Sequence, residues 1–329
     1  MKAARIASPG KFEFVDIPEP DTTDGKVKVK VQSTSVCGSD IHGAFHAHRP
    51  EEEYPMHPGA PCHEVAGTVI ESKTDDIKEG QRAIVVPQRD NVGNYIGGLT
   101  EYLVLSPDRV IPVPDWGTLD EWVMCQHTGT VLFSAKHWDN AAGKRIAVLG
   151  QGGIGLSFTM IAEKQGAQQI VGIDNLDYRL DKALSLGATN TINPQKDDLV
   201  EAIQEVTGGK GVDVVVDATG DPEGFATCLS IINRWGTFIS FSLTGQDGKM
   251  SSFPHQEFMF KAAKIIPTQV AATSQPTLEI RETVALKERG WFDPGVLMTH
   301  SMDFSDVQKA YDLYANREDG IIKVAMKMD

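Results

Sequence analysis

A glycine-rich turn in the middle of the chain constrains the fold more than any other feature of the sequence. Residues 150–155 read GQGGIG, follow the apolar run Arg145–Leu149 and open a stretch with helical spacing. In this strand–turn–helix context, Gly150 permits a tight turn, Gly152 lets the backbone approach a pyrophosphate, and Gly155 lets the helix pack against the strand. Free N–H groups at the start of the helix then face phosphate oxygens. The turn therefore predicts a dinucleotide site.

The two halves of the chain have different patterns. After the turn, strand-like and helix-like segments alternate, and Val212–Val216 holds four valines around one aspartate, as expected for a strand buried on both faces. Such alternation predicts an α/β domain with a doubly wound parallel sheet, the Rossmann type. From Met1 to about Pro114, short β-like runs are broken by Gly, Pro, Asp and Asn, which predicts a small barrel or sandwich.

The expected cofactor is NAD. Asp174 follows the next predicted strand, where a carboxylate accepts hydrogen bonds from the adenosine ribose hydroxyls and repels a 2′-phosphate. Gly153, Ile154 and Arg179 are predicted to complete the cofactor site. Asp217 and Gly220 could flank the same crevice or form an ordinary strand-end turn. A glycine turn that binds no cofactor is the alternative interpretation of the whole motif.

The overall charge limits the partners. The formal net charge is −14, so neither nucleic acid nor an anionic membrane is expected to bind. The first residues lack the apolar core of a secretory signal, and no run of about 18 apolar residues occurs. Four cysteines in a chain of this length do not indicate a disulfide framework. The expected location is therefore a reducing cytoplasm, in which a cysteine can serve as a thiolate ligand.

Two short motifs in the first half carry candidate metal ligands. Cys37–His42 reads CGSDIH, and Cys62–Gly67 reads CHEVAG. Thiolate and imidazole donors suit zinc, and a catalytic zinc takes three protein ligands and keeps a fourth position open. The spacing C-x2-C of a structural zinc finger is absent.

Together with other segments, these motifs resemble the zinc-dependent medium-chain dehydrogenases, a family that includes alcohol, sorbitol, threonine and butanediol dehydrogenases. The resemblance covers nearly the whole chain and rests on CGSDIH, CHEVAGTV, GQRAIV, LTEYLVL, the glycine turn and GIIKVAM. It implies a mainly β GroES-like catalytic domain over residues 1–118 and a Rossmann domain over residues 119–266. Residues 267–329 are expected to return to the catalytic domain.

The resemblance also implies a role for each position that matches the family pattern. The zinc ligands would be Cys37, His63 and Cys125, with Glu64 as a carboxylate that exchanges with the ligand at the open position. Asp40 would orient His63, as an outer-sphere acid commonly does. Ser39 and His42 would carry the proton from the bound alcohol to solvent.

Two departures from the family pattern are visible. Most members have Gly where this chain has Cys62, which we interpret as a packing residue, with a spare ligand or an oxidation-prone thiol as alternatives. Many members also carry a second, structural zinc on a four-cysteine lobe, whereas Pro87–Gly98 is short and has no cysteine. One zinc per chain is therefore expected. A homodimer or homotetramer is expected from the family, with the strand Thr237–Phe241 as a candidate for pairing across a two-fold axis.

The predicted function is hydride transfer between NAD and an alcohol or ketone. The pocket is expected to be lined by residues around Ser39, Phe45, His46, Gln88 and the loop Asn91–Tyr95, and the polar residues among them suggest a polyol, sugar or cyclitol. His46 and His48 could line this pocket or be solvated. One alternative is a zinc-free NADPH-dependent quinone or enoyl reductase of the same fold, and another is a non-enzymatic NAD-binding sensor. The segment Tyr178–Lys182 has the Tyr-x-x-x-Lys spacing of short-chain dehydrogenases, but it follows Asp174 directly and is interpreted as an amphipathic helix face.

Overall fold

The structure of the chain is a computed structural model that describes residues 1–46, 50–89, 93–243, 252–269 and 273–328. Contacts divide the chain into two compact units. The first comprises Met1–Gly129 together with Ile280–Asp329, and the second comprises Thr130–Glu279. The domain limits inferred from the sequence stay a prediction. No helix of the described residues is long and apolar enough to cross a membrane.

The first unit is mainly β. Its strands are β1 (Lys2–Ser8), β2 (Lys11–Asp16), β3 (Val27–Ser35), β4 (Glu64–Ser72), β5 (Arg82–Val85), β6 (Tyr102–Leu105), β7 (Val110–Pro112), β14 (Met298–Asp303) and β15 (Lys323–Lys327). In the described residues β1 and β2 form a hairpin, and the others form one sheet in the order β14-β15-β3-β4-β5-β7, with β6 also paired to β3. The helices that belong wholly to this unit are α1 (Gly38–Asp40) and α9 (Val307–Asn316), and most of α8 (Leu278–Glu288) lies in it.

The apolar core of the first unit follows from side-chain alternation along its strands. In β3, Val27, Val29 and Val31 are fully buried and contribute to one cluster with residues of β4, β6 and the C-terminal tail. A strand places alternate side chains on opposite faces, so valine at every second position forms one apolar face. The tail enters this core through Tyr311, which is fully buried. Residues far apart in sequence therefore support the same sheet.

The second unit is a parallel α/β sheet. Its strands are β8 (Arg145–Leu149), β9 (Gln169–Ile173), β10 (Asn190–Ile192), β11 (Val212–Asp217), β12 (Ile232–Ser240) and β13 (Lys264–Pro267). Its helices are α3 (Gly153–Lys164), α4 (Asp177–Ser185), α5 (Leu199–Val206), α6 (Gly224–Ile231) and α7 (His255–Lys261), while α2 (Leu119–Ala135) spans the boundary between the units. The strand order within the described residues is β10-β9-β8-β11-β12-β13, with every pairing parallel. The order reverses beside β8, which confirms the doubly wound sheet.

One expectation about this sheet is wrong. Thr237–Phe241 was expected to pair across a two-fold axis, but β12 pairs with β11 on one side and with β13 on the other. An interior strand has no unpaired backbone groups left for a second copy of the chain. The strand at this edge of the sheet is β13.

Candidate functional site

The predicted ligand Cys37 lies in a turn directly after β3. Its backbone N–H donates to Asp40 Oδ2 at 3.1 Å, and the Asp40 N–H donates to the Cys37 carbonyl at 3.0 Å. The Ser39 hydroxyl donates to Cys37 Sγ at 3.2 Å. This reciprocal capping fixes the turn, and the sulfur lies where it accepts a hydrogen bond.

His63 and Glu64 approach Cys37 because β3 and β4 are antiparallel. The register pairs Ser35 with Glu64, so the residues that follow β3 and those that begin β4 meet at one end of the strand pair. One donor atom from each of Cys37, His63 and Glu64 lies within 4.8 Å of the others, the one such group of His, Cys, Asp and Glu in the described part of the chain. Thiolate, imidazole and carboxylate are all zinc donors.

Asp40 links this cluster to the C-terminal tail. Its Oδ1 lies 3.0 Å from His63 Nδ1, and its Oδ2 accepts a hydrogen bond from the Tyr311 hydroxyl at 3.3 Å. Asp40 is 2% exposed. A carboxylate on Nδ1 fixes the ring orientation and leaves Nε2 as the nitrogen able to bind a metal. The geometry is that expected for Asp40, and it adds Tyr311, to which the sequence assigned no role.

Lys323 is a second residue at the site to which the sequence assigned no role. Its Nζ donates to Glu64 Oε2 and to the Val36 carbonyl, both at 2.6 Å. Both side chains are buried, at 2% exposure for Lys323 and 0% for Glu64. Burial raises the pKa of Glu64, but the charges of Lys323, His127 and His63 outweigh it and the net shift is downward. The motif GIIKVAM contains this lysine, but only the pairing of β15 with β3 brings it to Glu64.

Two observations show that the cluster fits a metal cation. Glu64 Oε1 is buried and accepts no hydrogen bond from the described residues. Burial lowers the pKa of His63, but the charges of Asp40 and Cys37 outweigh burial and raise it well above its usual value. The site therefore favours positive charge and holds an unused buried acceptor, which is costly unless a donor or a cation satisfies it.

The structure does not bring Cys125 to the other predicted ligands. Cys125 is fully buried in an apolar cluster with Trp122, and burial raises the pKa of its thiol to about 12. An α-helix turns about 100° per residue, so positions 125 and 127 of α2 point to nearly opposite sides. His127 is the residue that faces the cluster, with Nδ1 4.0 Å from Glu64 Oε1.

Cys62 lies beside His63 but has the environment of a packing residue. Its Sγ lies 3.6 Å from the carbonyls of Ser35 and Glu64, and the side chain is fully buried. Burial raises the pKa of the thiol far above its usual value. Cys228, in the second unit, is equally buried.

The residues expected around the substrate fall into three groups. Phe45 is fully buried and stacks on Phe12, so it belongs to the core and does not line a pocket. His42 and His46 are exposed, and the relay role of His42 stays a prediction. His48 and Asn91 lie outside the described residues.

In the second unit, glycine is needed for a different structural reason at each of the three predicted positions of the turn. Gly150 adopts φ +88°, a conformation that favours glycine. A Cβ on Gly155 would lie 1.7 Å from the Gly150 carbonyl oxygen, which confirms close packing of the helix on the strand. A Cβ on Gly152 would meet only the Arg179 guanidinium, at 3.6 Å. The protein's own packing therefore does not require glycine at position 152. The lack of a side chain there leaves the start of the helix open to a ligand.

Asp174 lies at the end of β9, beside this turn. Its Oδ2 accepts a hydrogen bond from the Gln151 N–H at 2.7 Å, and its Oδ1 accepts one from the Leu176 N–H at 2.9 Å. Arg179 Nη1 lies 3.7 Å from Oδ2. Each carboxylate oxygen has a further lone pair for a ribose hydroxyl. Glycine turn, carboxylate and Arg179 therefore meet at one end of the sheet, as a dinucleotide site requires.

Asp217 serves the turn that follows β11. Its Oδ1 accepts hydrogen bonds from the backbone and hydroxyl of Thr219 and from the Ser242 hydroxyl, at 2.8–3.0 Å. Burial raises the pKa of Asp217 despite these bonds. These contacts account for Asp217 as a strand-end turn residue. Tyr178–Lys182 lies within α4, as the amphipathic interpretation requires.

Comparison with known proteins identifies the family of each part of the chain. The model described as "Zinc-binding dehydrogenase" matches residues 153–286, and "Alcohol dehydrogenase GroES-like domain" matches residues 23–115. An alcohol dehydrogenase of Cupriavidus necator is 30% identical over 372 residues, covering 99% of this chain and 98% of that protein. A sorbitol dehydrogenase of Bacillus subtilis is 27% identical over 75% of this chain and 76% of its own.

Solved structures share the fold. The alcohol dehydrogenase TADH from Thermus sp. ATN1 superposes with a TM-score of 0.87 at 20% identity and covers 100% of both chains. The expected combination of a GroES-like domain and a doubly wound cofactor domain is thereby confirmed. Given its two matching domain models and its full-length relative, the chain belongs to the zinc-dependent medium-chain dehydrogenase family.

Proposed function

We propose that the chain oxidises a polyol, sugar or cyclitol to the corresponding carbonyl compound with NAD, using one zinc ion. The observation that carries the metal assignment is the convergence of a sulfur, a nitrogen and an oxygen donor within 4.8 Å. A zinc-free reductase of the same fold has no need of such a donor set. When bound, the zinc supplies a Lewis acid that favours the ionised form of an alcohol.

The chain's own residues bind the ion, orient its ligands and transfer the proton. Cys37, His63 and Glu64 hold the ion, and Asp40 keeps His63 Nε2 available by engaging Nδ1 at 3.0 Å. The Ser39 hydroxyl lies 3.2 Å from Cys37 Sγ, in a position to accept the alcohol proton. His42 is exposed and can pass the proton to solvent.

Several features favour NAD as the hydride acceptor. The helix start after Gly152 offers backbone N–H groups and open space to a pyrophosphate. Asp174 offers acceptors to the adenosine ribose, and its negative charge disfavours a 2′-phosphate. Gly153 and Ile154 continue this helix start, so their contact with the cofactor is part of the same proposal.

The chain has too few cysteines for a second zinc on a four-cysteine lobe. Of the four, Cys37 is in the cluster, and Cys62, Cys125 and Cys228 are separately buried. One zinc per chain is therefore proposed. A homodimer or homotetramer in the cytoplasm is the expected form. The similarity to a sorbitol dehydrogenase supports a polyol as substrate.

Zinc content and cofactor reduction together test this function. Protein purified without added metal is expected to contain about one zinc per chain and to reduce NAD, not NADP, with members of a polyol panel. His63→Ala is expected to lose both the zinc and the activity. Full activity without zinc would overturn the metal assignment, and activity confined to apolar alcohols would overturn the substrate class.

A further inference from the structure

The helix α2 presents a histidine, not a cysteine, to the metal cluster. We propose that His127 is a ligand of the same zinc ion, in the place that the sequence pattern assigns to Cys125. The inference rests on the proposed zinc site and adds a residue to it. It is carried by the position of His127, whose Nδ1 lies 4.0 Å from Glu64 Oε1.

The distance suits a shared ion. Zinc–nitrogen and zinc–oxygen bonds are about 2.0–2.2 Å, so two donors on one tetrahedral zinc lie roughly 3.3 Å apart. His127 Nδ1 and Glu64 Oε1 need to approach by less than about 1 Å to reach that separation. The imidazole is 2% exposed, so it faces the cluster from inside the protein and not from solvent.

The other ring nitrogen supports the same assignment. His127 Nε2 lies 3.4 Å from the Thr128 hydroxyl. A proton on Nε2 directed at Thr128 leaves the lone pair of Nδ1 pointing toward Glu64, which is the tautomer a metal ligand needs.

A histidine here also changes the role of Glu64. With Cys37, His63 and His127 as ligands, the ion has three protein donors without the carboxylate. Lys323 already holds Glu64 Oε2 at 2.6 Å, so Glu64 can leave the ion without becoming an unpaired buried charge. With Glu64 held by Lys323, the three other donors would leave the fourth position of a bound ion to a substrate oxygen.

Two positions on opposite sides of α2 provide a matched pair of variants. His127→Gln and Cys125→Ser are each tested for zinc affinity by competition with a chromophoric chelator, with thermal unfolding as the control for folding. His127→Gln is expected to lose about 100-fold or more in zinc affinity, because even outer-sphere partners contribute 10–100-fold. Cys125→Ser is expected to stay within about three-fold of the parent protein.

Cobalt substitution gives a readout that does not depend on activity. In the proposed site Cys37 is the only sulfur ligand, so Cys125→Ser is expected to keep the full thiolate-to-cobalt absorption band of the parent protein. His127→Cys supplies a second thiolate and is expected to increase the band about two-fold. An unchanged band in His127→Cys, or parental zinc affinity in His127→Gln, overturns the inference. Absence of zinc from the parent protein would instead overturn the proposed function itself.

Discussion

Replacement of Lys323 by methionine tests the buried ion pair most directly. Lys323 and Glu64 are 2% and 0% exposed, and Met fills a similar volume without the charge. Removing one partner of such a pair costs about 3–5 kcal/mol because the other charge stays buried. Glu64 can avoid that cost by taking a proton. With an ordinary pKa of about 4.3, protonation at pH 7 costs about 3.7 kcal/mol, which sets the loss we expect in the free energy of unfolding.

The same reasoning gives the pH dependence. In Lys323→Met the folded-state pKa of Glu64 lies above its unfolded value, so the variant gains relative stability as pH falls. The cost of protonation is about 1 kcal/mol at pH 5. In the parent protein the pKa of Glu64 is lowered, so its contribution is lost only as pH falls below the ordinary range of a glutamate. The difference between the two proteins should therefore shrink from about 3.7 to about 1 kcal/mol between pH 7 and pH 5.

Urea unfolding with a chelator present measures this difference without interference from metal. Lys196→Met is the matched control, because Lys196 Nζ lies 2.6 Å from Asp177 Oδ2, the same distance, but on the surface. An exposed pair of this kind commonly contributes nothing measurable. A loss in Lys323→Met that equals the control, or one that does not change between pH 7 and pH 5, would refute the argument.

Four further substitutions test the packing of the glycine turn, the support of the metal site and a second ion pair. Gly155→Ala should lower the free energy of unfolding by about 1–3 kcal/mol and abolish NADH binding, because a Cβ there meets the backbone of the turn. Gly152→Ala should weaken NADH binding and leave the stability unchanged. Fluorescence titration measures the binding and thermal unfolding the stability, and equal stability losses in the two variants would contradict the packing argument. Tyr311→Phe should lower zinc affinity about ten-fold in chelator competition by releasing Asp40, and parental affinity would exclude that role. Burial raises the pKa of Asp213, but the bonds to Arg145 outweigh burial and lower it. The stability lost in Asp213→Asn should therefore be largest at pH 7 and shrink as urea unfolding is repeated toward pH 3. A loss that stays constant with pH would contradict its origin in the ion pair.

The sequence by itself determined the features that depend on neighbouring residues. The glycine turn, the acidic residue after the next strand and the alternation of strand and helix predicted the cofactor domain, because each is a local pattern with one main structural solution. Cys37 and His63 were predicted as ligands because the motifs CGSDIH and CHEVAGTV resemble the family pattern. They lie next to the ends of β3 and β4, and antiparallel pairing of two such strands brings their ends together.

Features that depend on distant parts of the chain were decided only by the tertiary structure. Lys323 and Tyr311 reach Glu64 and Asp40 from the C-terminal tail, and no local pattern states which buried carboxylate a distant cation or hydroxyl will meet. Which residue of α2 faces the cluster, Cys125 or His127, depends on the rotational phase of the helix, which packing against the sheet sets. Two residues along a helix correspond to about 200° around it, so a sequence pattern alone does not determine which of two such side chains faces a site.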